Sequence, residues 1–303
     1  MACGSRNSLI KGVSGLGLGY SCQDLLTRVA GAENASDHCS FTLQEKALLG
    51  KIIRILSLTL FQLTEISSDT LESLSQYMPP GVDDCYTGMT FESMLKSSDD
   101  AVEDLWGIAG LVLGLGTSVT ALFRAGSYDA MGNIKLLCTS SIAEAASLVP
   151  DSRSESVHIK LSIGSCLVLP TVSSFCRRVE MMHDTELDDL LSSYEDLISK
   201  LLQYRTPSIC FQNLLMAACI GAGSLLAFIL DEGVLSLDVQ RVKGLLESFK
   251  SIYTSPNPHF VHLGGLVGVA SAMGADAGSL IHRYNSMTPQ AVGHKKVIPK
   301  STD

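Results

Sequence analysis

The chain has one tryptophan and few aromatic residues of any kind, 6% in all. Its core must therefore be built from Leu, Ala, Val and Ile. Proline is scarce and long β-branched runs are missing, which favours helix over sheet. No Cys-x-x-Cys pair occurs among the nine cysteines at 3, 22, 39, 85, 138, 166, 176, 210 and 219. An odd number without framework spacing fits reduced thiols in a cytosolic protein, and excludes reading the cysteines as a secreted disulfide scaffold. Basic clusters are small, Arg177-Arg178 and Lys295-Lys296 with Lys300, and the formal charge is −9. That balance argues against a general nucleic-acid surface. The N-terminus lacks the compact hydrophobic region of a signal peptide. No Gly-x-Ser-x-Gly elbow is present, and no glycine pair is followed by Gly-Lys-Ser/Thr or completes Gly-x-Gly-x-x-Gly after a strand.

What the chain has is glycine in apolar surroundings. Five charge-free stretches recur at 12–20, 106–123, 161–176, 209–230 and 260–275. Gly114, Gly164, Gly221 and Gly268 mark small-residue clusters about 50 residues apart, near the period of helical-repeat arrays. The step from Gly17 to Gly114 is about twice that, as if one unit between them had diverged. Amphipathic segments alternate with these stretches. Residues 43–66 place Leu48, Ile52, Ile55, Leu56, Leu60 and Leu63 along one helical side, with Thr42 and Glu45 as a capping box. Residues 186–204 line Leu187, Leu190, Leu191, Tyr194, Leu197, Ile198 and Leu201 on one face, opposite Asp188, Asp189, Glu195 and Asp196.

Further helices are expected at 12–30, 70–76, 91–96, 133–148 (after a break at 126–132), 156–179, 236–253 and 259–284. Pro170 should kink or split the fifth of these, and 274–278 should break the last. The pattern predicts an all-α chain, an α-solenoid of stacked antiparallel helix pairs over 1–285, with a polar disordered tail at 286–303. The apolar start without a polar capping unit reads as the cut end of a longer array.

The rival is a multi-span membrane protein. The mean hydropathy is +0.26, and residues 209–230 carry no charge over a length that can cross a bilayer. Against it stand the Gly and Ser interruptions, the missing Trp and Tyr belts, Pro170, and Asp276 just beyond the last stretch.

Candidate sites are weak. His259 and His262 share a helix face, with His282 and Asp276 further on, but packing or capping explains them better than zinc. Cys176 beside Arg177 and Arg178 has the setting of a lowered thiol pKa, without a placed base. Asp99, Asp100, Glu103 and Asp104 suit the start of a helix at 105 better than a cation site. Asp188–Asp189 and Glu195–Asp196 read as a solvated face or a docking patch for a basic partner. Trp106 reads as core, with an interface anchor as the lesser alternative. The glycine stretches read as helix-packing positions, not phosphate loops. No catalytic, cofactor-binding or metal-ligating residue is assigned, and no cofactor is expected.

The stretches GVSGLGLGYSCQDLL (12–26), WGIAGLVLGLGTSVTALFRAG (106–126), GSCLVLPTVSSFCRRVE (164–180) and HFVHLGGLVGVASAMGADAG (259–278) resemble the C-terminal region of the plant Resurrection One family, related to animal focadhesin. That resemblance implies a long armadillo/HEAT-type array acting as a non-enzymatic cytoplasmic scaffold. It implies protein partners in the Ski complex and the cytoplasmic RNA exosome, hence a place in mRNA turnover, and in plants effects on cuticular wax and embryo development. It assigns no functional residue. The small-residue helices are also similar, more weakly, to the repeats of the large proteasome regulatory subunits, which are shorter and close into a toroid.

Overall fold

The computed structural model describes residues 7–31, 43–64, 68–82, 105–149, 157–204, 208–233 and 237–286, with backbone alone over 25–31 and 275–286. Among them every regular element is an α-helix: α1 Ser8–Gly31, α2 Leu43–Thr64, α3 Asp69–Ser75, α4 Leu105–Thr117, α5 Val119–Arg124, α6 Tyr128–Leu148, α7 Val157–Arg178, α8 Asp184–Tyr204, α9 Ile209–Glu232, α10 Val239–Thr254 and α11 His259–Ser286. The expected helix at 91–96, the Thr42 cap, the acidic group at 99–104 and the tail at 287–303 lie outside the described residues.

Local chemistry sets many of the ends. Asn7 caps α1, its side chain accepting from the backbone N–H of Leu9 at 2.9 Å. Ser208 and Asp238 do the same for α9 and α10, which satisfies otherwise orphaned donors. Gly233 closes α9 in the left-handed conformation at φ 63. Hydroxyls buried in the apolar helices bond back to carbonyls one turn earlier, as Ser57 does to Ile53 and Ser165 to Leu161. At those positions burial leaves no donor stranded, whereas the buried hydroxyls of Thr120 and Ser173 have no such partner.

The glycine-rich helices pack on one another in a row: α1 on α4, α4 on α7, α7 on α9, α9 on α11. Backbones approach closely at glycine. A β-carbon on Gly110 would lie 2.2 Å from Gly12 Cα, and one on Gly223 would lie 2.4 Å from the Gly268 carbonyl oxygen. The register is parallel. Gly12, Gly15 and Gly19 meet 106, 110 and 114 in ascending order, and Met216 and Cys219 meet Gly264 and Gly268. The amphipathic helices lie against this row, α2 on α4, α6 on α7, α8 on α9 and α10 on α11, and touch their neighbours, α3 on α6, α6 on α8, α8 on α10.

Several expectations change. The stretch 106–123 is two helices, because Ser118 turns its N–H and hydroxyl back to the Leu115 carbonyl. Helix α6 begins at Tyr128, straight after the left-handed Gly126, and Gly132 sits inside it. Helix α11 runs unbroken through 274–278. On α2 the core side uses Leu49 and Ile53 with Ile52, Leu56, Leu60 and Leu63. Leu48 is exposed and Ile55 only partly buried. Helix α1 packs directly on α4, so the double step from Gly17 to Gly114 does not leave a gap in the row.

Helix α7 is also continuous through the buried Pro170. Proline has no N–H, so the carbonyl four residues back, on Cys166, loses its helical partner. The Tyr194 hydroxyl of α8 donates to that carbonyl at 2.7 Å. A side chain from the neighbouring helix thus satisfies the group that proline orphans.

Candidate interaction surface

The acidic face of α8 is not free. Arg241 of α10 donates through Nε to both Glu195 carboxylate oxygens at 3.0 Å and through Nη2 to the Ser192 hydroxyl at 2.8 Å. Its Nη1 donates to Asp188. Burial pulls the guanidinium pKa down, but the bonds and attraction of Asp188 and Glu195 outweigh it and hold Arg241 above its ordinary value. Asp196 pairs with Lys200 at 2.8 Å, and Asp189 is exposed. Three of the four acids of the supposed docking patch are therefore satisfied within the chain.

Similar ties cross other helix pairs. Lys135 of α6 meets Glu186 of α8 at 2.7 Å, Arg177 of α7 meets Asp184 of α8 at 2.6 Å, and Arg178 of α7 meets Glu232 of α9 at 2.6 Å while lying over the Phe228 ring. Burial raises the Glu186 pKa, but Lys135 and the His183 N–H more than reverse it, leaving Glu186 below the ordinary glutamate range. These pairs join residues up to 54 positions apart, so no local spacing announces them. Arg241→Ala is expected to cost about 1 kcal/mol, the upper range for a pair that keeps some solvent. Arg241→Lys should recover less than half of it, because lysine lacks the planar fork. Urea denaturation of the two variants measures both.

Cys176 is not activated. Burial pushes its thiol up, Lys135 only partly opposes this, and Glu186 adds to it. Burial likewise drives Cys22 and Cys138 to about 12 and raises Cys166 and Cys219. A thiolate-selective reagent is therefore expected to leave Cys22, Cys138, Cys166, Cys176, Cys210 and Cys219 unlabelled in the native protein and to label all six in denaturant. Peptide mapping reads each site.

His262 turns Nε2 to the Ser255 carbonyl at 2.7 Å and fastens the α10–α11 turn. The His259 ring stands edge-on to it at 6.1 Å. The side chains of Asp276 and His282 lie outside the described residues. Among the described residues no group of three His, Cys, Asp or Glu side chains is placed to hold a metal ion.

Two clefts open between turns. One of about 440 Å³ is lined by Tyr77, Met78, Ser127, Asp129 and Asn133, and one of about 250 Å³ by Leu201, Phe211, Gln212, Ser255 and Asn257. In the first, Tyr77 is hydrogen-bonded to Ser127 and burial pushes its pKa up to about 12. It stays a neutral phenol at neutral pH, able to donate a hydrogen bond but not to act as a phenolate base.

Apolar side chains are exposed elsewhere too, most of all Val239 at 75% and Ile209 at 68% at the starts of α10 and α9. Trp106, expected in the core, is 41% exposed while its carbonyl faces Gly12. Leu9, Val13 and Tyr20 are exposed on α1, and Leu263, Leu266 and Met273 on α11. These two helices are the ends of the glycine-rich row, each with one neighbour in it. The surface can therefore present apolar helix faces and solvated helix flanks to another macromolecule. No protein-family model, curated protein or solved structure matches the chain.

Proposed function

We propose that the chain is a non-enzymatic helical-repeat scaffold, an α-solenoid of stacked antiparallel helix pairs, that holds protein partners in the cytoplasm. One observation carries this reading. Successive glycine-rich helices pack in parallel register at sequence steps of about 50 residues, Ala109 on Gly164, Cys166 on Gly221 and Cys219 on Gly268. Between each pair an amphipathic helix returns the chain and covers one side, as in stacked two-helix repeats. Such a stack works by presenting a rigid extended surface, and binding energy then depends on a few exposed anchors such as Trp106.

The resemblance to the Resurrection One and focadhesin family supplies the partners: subunits of the Ski complex and of the cytoplasmic exosome, with mRNA turnover as the process. Affinity purification of the tagged protein tests this. Reproducible recovery of Ski and exosome subunits supports the adaptor reading, and their consistent absence sinks it.

A second reading rests on length and composition. Helices at Leu43–Thr64, Val157–Arg178 and Ile209–Glu232, and α4 with α5 together over Leu105–Arg124, are long and apolar enough to cross a membrane. Between 56% and 78% of each apolar window is buried against protein, however. Helices α8 and α10 are tied together through charged side chains with water access. Intramembrane charge of that kind is costly, which favours the scaffold.

A further inference from the structure

We draw no further inference here: the strongest candidate, the cleft of about 440 Å³ between α3 and the start of α6, combines a helix N-terminus that favours an anion with the exposed Asp129 carboxylate that repels one, and its buried Ser127 hydroxyl is already bonded to Tyr77, so nothing there selects a ligand.

Discussion

Gly221→Ala is expected to destabilise the protein by about 2–3 kcal/mol, although alanine is the better helix former by about 1 kcal/mol. The added β-carbon would stand 2.2 Å from the Cys166 carbonyl oxygen and 2.8 Å from the Tyr194 hydroxyl. Neither can retreat cheaply: the carbonyl belongs to the backbone of α7, and Tyr194 is fully buried. Relief requires α9 to move off α7, which opens voids along the contact. Gly132→Ala and Gly244→Ala make the comparison. A β-carbon at either position meets nothing within 4 Å, so each should stabilise by about 0.5–1 kcal/mol. Urea midpoints of the three variants give the signs directly. Equal stabilisation at all three would show that α7 and α9 are not packed glycine to backbone.

Tyr194→Phe should cost about 1–3 kcal/mol, the penalty for stranding a buried acceptor. The ring stays and only the hydroxyl leaves, so the loss isolates the bond to the Cys166 carbonyl. In a Pro170→Ala background the same change should cost well under 1 kcal/mol, because the restored N–H at 170 gives that carbonyl its ordinary helical donor. The coupling in this double-mutant cycle is the quantity of interest. Strict additivity would mean that Tyr194 does not answer for the proline.

How far the sequence carried depends on which interaction each element uses. Helix α8 was legible residue by residue: all seven apolar positions of its period are buried, from Leu187 to Leu201, because one-sided burial writes a 3.6-residue pattern. Helices buried on several sides write no such pattern. The stretches at 161–176 and 209–230 announced themselves by composition alone, and their contact faces came only with the structure. Helix α2 shows the intermediate case. Ile52, Leu56, Leu60 and Leu63 of its expected stripe are buried, but Leu49 takes the place of Leu48, since the two are equally apolar and only packing on α4 and α3 selects between them. Trp106 went to the surface at the first turn of α4, where its backbone carbonyl and not its ring faces Gly12.

The acidic residues of α8 were placed on the correct face, but their partner Arg241 lies 46 positions from Glu195. Charge pairing across stacked helices leaves no local trace. The link between Pro170 and Tyr194 was hidden for the same reason. A split is one local expectation for proline, and the donor from α8 that satisfies the orphaned Cys166 carbonyl of the unbroken helix is not written in α7 itself.

The central claim is that the glycine-rich helices bury their apolar faces on one another and not in lipid. The most direct measurement is the fractionation of the chain expressed without detergent, followed by circular dichroism and a melting curve on the soluble fraction. The account predicts recovery in plain buffer as a strongly helical protein with a single cooperative transition. Recovery only from the membrane fraction, and only with detergent, would contradict it.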